Sequence, residues 1–278
     1  MRREFAGLTL TTDHSLLTID YCLSSRPMNN SLPHDTVVPF KDSGAGKKQQ
    51  VASMFDQIAF RYDFLNRFLS GGIDKYWRRR AIKELAPLNP QKILDVATGT
   101  ADVAIMTSKF LKPATIIGID ISEKMLDLGR QKVAKLLLNN KIELQAGDSE
   151  AIKFPNNTFD AITVAFGVRN FENLRQGLSE MERVLRPGGK LVVLEFSKPK
   201  QTFLKGIYGL YMRVVTPGIG RLVSKNREAY QYLNDSVQKF PEGNNFLTIM
   251  KEVGYTATYL KTLTGGICTI YCGTKGKS

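Results

Sequence analysis

A chain of 278 residues has room for one large domain with an appendage, and 42% hydrophobic against 23% charged residues describes a globular fold rather than a disordered or fibrous one. Charged residues interrupt every apolar stretch well short of the roughly 20 positions needed to cross a bilayer, which excludes a membrane-spanning helix. The 39 Lys and Arg against 26 Asp and Glu leave a formal charge of +13, which suits nucleic acid, an anionic membrane surface or acidic substrates.

The Met-Arg-Arg start resembles the n-region of a signal peptide, but Asp13, His14 and Asp20 interrupt the apolar core such a peptide needs, so a cytoplasmic protein is expected. Residues 1 to about 48 carry Pro27, Pro33, Pro39 and a Ser-Gly-Ala-Gly-Lys-Lys run, and read as a mobile N-terminal tail. From Val51 the pattern changes. Val51, Met54, Phe55, Ile58, Ala59, Tyr62, Leu65 and Leu69 recur at helical spacing up to Gly71-Gly72, which predicts two short lid helices over 49–88 at the start of the main domain, 49–278.

After Pro90, short β-branched runs alternate with longer helical ones, the pattern of βαβ units and a parallel sheet. Strands are expected near Lys92 to Val96, Thr115 to Ile119, Lys141 to Gln145, Asp160 to Ala165 and Lys190 to Glu195. Helices are expected near Asp102 to Leu111, Glu123 to Leu138 and Leu174 to Leu185. Ser122 is a fitting N-cap with Glu123 in the first turn, and Pro187-Gly188-Gly189 stops the last of these helices.

From Lys198 to Arg227 there are seven basic residues and no acidic one, interleaved with Phe203, Leu204, Ile207, Tyr208, Tyr211, Met212 and Val215. This is a basic amphipathic segment, suited to a substrate cover or an anionic membrane surface. Its aromatics follow the apolar face rather than the bases, which counts against nucleic acid. Glu228 to Gly254 then reads as helical, and Tyr255 to Thr274 as two strands joined at Gly265-Gly266. Three cysteines point to reduced thiols, and Cys268 and Cys272, four apart on one strand face, read as packing rather than metal ligands; no metal is expected.

Chemistry gathers at the strand ends. The first strand runs into Ala97-Thr98-Gly99-Thr100-Ala101 and a helix, a small-residue turn that lets a ligand reach backbone and helix N-terminus. The second ends at Asp120, placed to accept from ribose hydroxyls. The third ends in Gly147-Asp148-Ser149, whose carboxylate and hydroxyl can meet an adenine amino group. A dinucleotide fingerprint needs G-x-G-x-x-G, but this turn has Gly99 alone and no Lys or Arg, so an NAD(P)-binding oxidoreductase is the weaker alternative. An adenosyl cofactor without phosphates fits better, which points to S-adenosyl-L-methionine approached by the turn at Gly99.

Two stretches carry a resemblance to the C-methyltransferases of menaquinone and ubiquinone synthesis, within the Rossmann-like class I methyltransferases. Tyr62-Asp63-Phe64-Leu65-Asn66-Arg67-Phe68-Leu69-Ser70 through Trp77 is similar to the family pattern Y-D-x-M-N-x-x-L-S-x-x-x-H-x-x-W, departing at Leu65 and at Asp74, where the family usually has His. Arg183-Val184-Leu185-Arg186-Pro187-Gly188-Gly189 through Ser197 follows it throughout, and Phe166-Gly167-Val168-Arg169-Asn170 resembles F-G-x-R-N. Ala165 stands where many relatives carry Ser.

The resemblance implies an α/β fold with a mostly parallel seven-stranded sheet and helices on both faces, S-adenosyl-L-methionine contacts at Thr100, Asp120, Asp148 and Ser149, and a polyprenylated quinol as substrate. The Gly265 to Tyr271 ending resembles menaquinone-pathway members, so demethylmenaquinol is the first expected acceptor and 2-methoxy-6-polyprenyl-1,4-benzoquinol the alternative. Arg169 and Asn170 are expected to bind the quinol oxygen, and Tyr62 and Asp63 to move its proton, since both histidines lie in the tail. Peripheral association with an anionic membrane is expected, and the reading leaves room for a homodimer.

Overall fold

The computed structural model describes residues 32–199 and 227–277. The amphipathic stretch expected over 198–227 lies outside the described residues except at its ends, as do residues 1–31 of the expected tail.

Seven strands form one sheet: β1 (Lys92–Val96), β2 (Thr115–Asp120), β3 (Ile142–Ala146), β4 (Phe159–Ala165), β5 (Leu185–Phe196), β6 (Tyr255–Leu263) and β7 (Cys268–Lys275). Their order is β3-β2-β1-β4-β5-β7-β6. The first five run parallel, and β7 is antiparallel to both β5 and β6. Around them stand α1 (Lys47–Leu69), α2 (Asp74–Lys83), α3 (Asp102–Leu111), α4 (Glu123–Lys135), α5 (Leu174–Val184), α6 (Arg227–Lys239) and α7 (Asn244–Glu252).

The central strands are apolar on both faces because both are covered. In β1, Leu94 and Val96 face one core with α5 and α7, through Leu178, Met181, Phe246 and Ile249. Ile93 faces the other, with Ala81 of α2, Ala104 of α3 and Leu126 of α4. The outer strand β3 alternates buried and exposed positions, as a sheet edge with one covered face does. Cys268 and Cys272 are buried free thiols in β7.

Four elements differ from the sequence reading for identifiable reasons. The first lid helix is not short: α1 has 23 residues, because hydrogen bonds carry it back through Lys47 and Gln50. Of residues 32–46, assigned to the tail, 32–40 are tied to the fold and 41–46 are exposed. Lys47 donates to the His34 carbonyl at 2.7 Å, Gln50 bonds Phe40 and Ala45, and His34 and Pro39 are buried. β5 starts at Leu185 rather than Lys190, since Leu185 pairs with Phe159 and the Pro-Gly-Gly run loops out as a bulge before Lys190 rejoins at Ala161. The expected single helix after 228 is two, interrupted at Pro241, whose ring cannot continue the first.

Near its N-terminal end, α2 is pinned to the hairpin of β6 and β7. Trp77 Nε1 donates to Thr264 Oγ1 at 2.7 Å, in the turn between β6 and β7, and its ring packs on Phe166 and Phe196. Asp74, the departure from the resembling pattern, is buried, accepting from Ser70 and pairing with Arg78 at 3.5 Å.

The turn after β1 is set by two buried features. Asp95, 1% exposed, accepts from Thr98 at 2.7 Å and from Thr163 of β4 at 2.5 Å. Gly118 of β2 leaves the room Thr98 occupies, since a Cβ there would lie 2.8 Å from Thr98 Oγ1 and 2.6 Å from Leu144 Cδ2. Gly118→Ala is therefore expected to cost about 1–3 kcal/mol by overpacking. Urea denaturation measures this, and an unchanged midpoint would show that Thr98 and Leu144 move aside freely.

Burial raises Asp95 to about 6, outweighing the two hydroxyl donors. A carboxyl raised on folding contributes stability below the unfolded value near 4 that is lost as pH climbs through 6. The stability of Asp95→Asn relative to the natural chain should thus rise between pH 4 and 6.5, by on the order of 2–3 kcal/mol. Urea melts across that window test it; a flat difference would mean that Asp95 ionises without penalty.

Candidate active site

The link from β1 to α3 is built from unfavourable backbone. Ala97, Gly99 and Ala101 have φ of 53°, 55° and 64°, and a non-glycine residue in this region costs about 1–3 kcal/mol. Neighbours hold the turn in place. Thr98 N–H donates to the Ile119 carbonyl at 3.0 Å and Gly99 N–H to Asp120 Oδ2 at 2.8 Å. The result is a loop whose backbone faces an open cavity of about 660 Å³ at the carboxyl ends of β1 to β4.

Gly99, Asp120, Asp148, Ser149, Tyr62 and Asn170 all line this cavity. Asp120 also accepts from Ser122 N–H at 2.9 Å, yet burial still raises its carboxyl above the usual range. Asp148 accepts from Glu150 N–H at 2.9 Å and from Lys48 of α1 at 2.6 Å. Tyr62 stands edge-on to Phe55, their centroids 5.8 Å apart, and its ring edge borders Gly99.

Thr100, Asp63 and Arg169 are not among the lining residues, because each is committed elsewhere. Asp63 accepts from Thr100 Oγ1 at 2.6 Å and from Lys132 at 2.9 Å. Lys132 also reaches Thr100 and Asp102, and Asp102 pairs with Arg78 at 2.8 Å. Burial alone would raise Asp102, but the charges of Arg78 and Lys132 hold it below the ordinary value. Higher on α1, Asp56 accepts from Ser122 Oγ at 2.6 Å. These clasps fasten α1 along α4 and over the turn.

Arg169 lies in a short 3₁₀ turn after β4 and is 5% exposed. Its guanidinium donates to Glu195 at 2.7 Å and to the Phe166 carbonyl at 2.6 Å, beneath Phe196. Burial pushes Glu195 up, and Arg169 opposes that. Asn170 reaches the cavity, with its Oδ1 accepting from Tyr232 of α6 at 3.1 Å. Burial raises the Tyr232 phenol, so it remains a donor at neutral pH. His34 is held neutral, lowered to about 3 by burial and then by the Lys47 charge.

The sequence reading missed Lys48, Val51 and Phe55, which α1 lays along the cavity, and Glu150 and Glu172 at its rim. The spacing 48-55-62 marks one helix face, but the run that holds Lys48 was assigned to the tail. Nothing local marks Tyr232.

Comparison with known proteins agrees with this geometry. The sequence profile of the ubiE/COQ5 methyltransferase family matches residues 44–275. A demethylmenaquinone methyltransferase of Bacteroides fragilis is 47% identical over 243 residues, 87% of this chain and 99% of the relative. A ubiquinone/menaquinone biosynthesis C-methyltransferase UbiE of Geobacter sulfurreducens is 48% identical over 231 residues, 83% of this chain and 90% of the relative. Among solved structures, one described as a possible S-adenosyl-L-methionine-dependent methyltransferase of Methanococcus maripaludis shares the fold with a TM-score of 0.55 at 18% identity, covering 86% of this chain and 98% of that one. A methyltransferase-type sheet, a cavity at its carboxyl edge and a profile match over most of the sequence lead to one assignment: the chain belongs to the ubiE/COQ5 methyltransferase family.

Proposed function

We propose that the chain is an S-adenosyl-L-methionine-dependent C-methyltransferase whose acceptor is a polyprenylated quinol, demethylmenaquinol first. The observation that carries this is the charge of the cavity. Among its described lining residues stand Asp120, Asp148, Glu150 and Glu172 against the single cation Lys48. Such a lining repels the pyrophosphate of a nicotinamide dinucleotide and suits a nucleoside bearing a sulfonium and an ammonium group. The residues fit the cofactor: Asp120 toward the ribose, Asp148 and Ser149 toward the base, and the Gly99 backbone beside them.

When bound, S-adenosyl-L-methionine supplies an electrophilic methyl group to a nucleophilic ring carbon. Asn170 donates its amide to the quinol oxygen, where negative charge grows as the phenolic proton leaves. Tyr232 fixes which end of that amide faces the cavity. Tyr62, with Phe55 and Phe171, excludes water, which favours a step in which charge is neutralised. Its hydroxyl serves as proton relay. Asp63 and Arg169 act through others, Asp63 by holding α1 on the turn and Arg169 by fixing the Phe166 carbonyl and Glu195.

Identity to a relative named for demethylmenaquinone favours the naphthoquinol, and the UbiE relative gives the methoxybenzoquinol as second acceptor. Because the prenyl tail keeps the acceptor in lipid, the basic stretch at 198–227 is proposed to meet an anionic membrane. No described helix is long and apolar enough to cross one.

Incubation with methyl-labelled S-adenosyl-L-methionine and each reduced acceptor should place label in menaquinol, and label in neither product would overturn the reading. Asn170→Ala should lower kcat by roughly 10²-fold with cofactor affinity unchanged. Asp120→Ala should weaken cofactor binding by calorimetry by at least about tenfold, the equivalent of 1.4 kcal/mol. Arg169→Ala is a poor probe, since it strands Glu195 unpaired in the core.

A further inference from the structure

Helix α1 has two faces with opposite occupants. Lys48, Val51, Phe55 and Tyr62 point into the cavity. At 100° per residue, Phe60 and Phe64 fall roughly 160° away from Tyr62, on the side turned from the cavity. Phe60 is 89% exposed and Phe64 65%, at i and i+4 on one stripe. Just beyond, at the turn into α2, Ile73 and Tyr76 are 42% and 51% exposed. Scattered single apolar residues on a surface need no explanation, but two phenylalanines side by side on one helix do.

Along the chain on either side of them, the exposed charges are of one sign. Between residues 57 and 83, every exposed charged side chain among the described residues is basic: Arg61, Arg67, Lys75, Arg79, Arg80 and Lys83. The two acids in this span, Asp63 and Asp74, are spent on Lys132 and Arg78. Aromatic side chains beside exposed arginines and lysines are the composition of a helix that lies in a lipid interface, rings at the acyl boundary and cations on the phosphates. A protein partner would need acidic residues opposite the bases, and a second copy of this chain would set these bases against themselves across a twofold axis.

We propose that the outer face of α1, with the turn into α2, docks on an anionic lipid bilayer. This surface is distinct from the stretch at 198–227, and it stands on exposure and charge whatever the acceptor is. Its consequence is positional: the helix that roofs the cavity rests on the membrane with its other side.

The test uses the full chain and vesicles of phosphatidylglycerol or of phosphatidylcholine. The natural chain should co-sediment with the former and not the latter, and high salt should release it. Phe60→Ser with Phe64→Ser, and separately Arg61→Gln with Arg67→Gln, should each weaken partitioning by about tenfold while leaving the melting temperature and cofactor affinity unchanged. In Phe60→Trp, emission should shift to the blue on phosphatidylglycerol vesicles and be quenched by brominated acyl chains, with the natural chain as blank for Trp77. Absence of vesicle binding would overturn the proposal. So would binding that survives both double variants with Phe60→Trp emission unmoved, which locates the contact elsewhere, and so would a dimer in sedimentation equilibrium that the phenylalanine variant dissociates. Methyl transfer to a water-soluble short-chain quinol is read in a separate assay, so failure of the membrane contact and failure of the proposed chemistry are told apart.

Discussion

The left-handed turn between β1 and α3 is the constraint on which the site depends. Two alanines and a glycine in five residues adopt positive φ, a conformation that alanine avoids in an unconstrained chain. It persists because it is over-determined. Asp95 holds Thr98 from below, Gly118 makes room for that threonine, Asp120 takes the Gly99 amide, and α4 approaches the Thr100 backbone at Gly129. The same groups that secure the strain also present a bare backbone to the cavity. Support and recognition are one arrangement, and Asp120 belongs to both.

Electrostatics divides the neighbourhood into two zones. On the outer side of the turn, Asp63, Asp102, Asp74, Lys132 and Arg78 alternate in sign and neutralise one another, which is why charges so near the cavity have no part in lining it. Inside, carboxylates outnumber cations, and Lys48 is shared between Asp148 and Glu150. A ligand group that donates a hydrogen bond to Asp148 therefore meets a lysine already there. That carboxylate is thus both a lining group of the cavity and one of the groups that hold α1.

How far the sequence speaks depends on the range of the signal. β1 and α3 were legible to the residue because a buried parallel strand is a continuous apolar run and the turn after it is composed of small residues. The carboxyl-edge residues Gly99, Asp120, Asp148 and Ser149 were legible for the same reason, Asp120 ending β2 and the others following closely on the ends of β1 and β3. What the sequence hid was partnership. Asp63 and Arg169 stand where a reacting group would, but Lys132 lies 69 positions from the first and Glu195 26 from the second. No periodicity relates them. The segment 32–46 offered no pattern either, since it is held by single bonds such as that from Lys47 to the His34 carbonyl rather than by a repeating face. The start of β5 depends on its pairing with Phe159, a tertiary event that the local Pro-Gly-Gly run obscured.

The hydrogen bond from Trp77 to Thr264 spans 187 positions and joins the N-terminal cover to the final hairpin. During synthesis the sheet's first five strands and the strand-end carboxylates emerge well before that hairpin. A growing chain thus holds the pieces of a ligand site, with partners for α1 already made, while α2 still lacks its bond to the hairpin. The cover gains its last fastening only when the β6–β7 hairpin has joined the sheet.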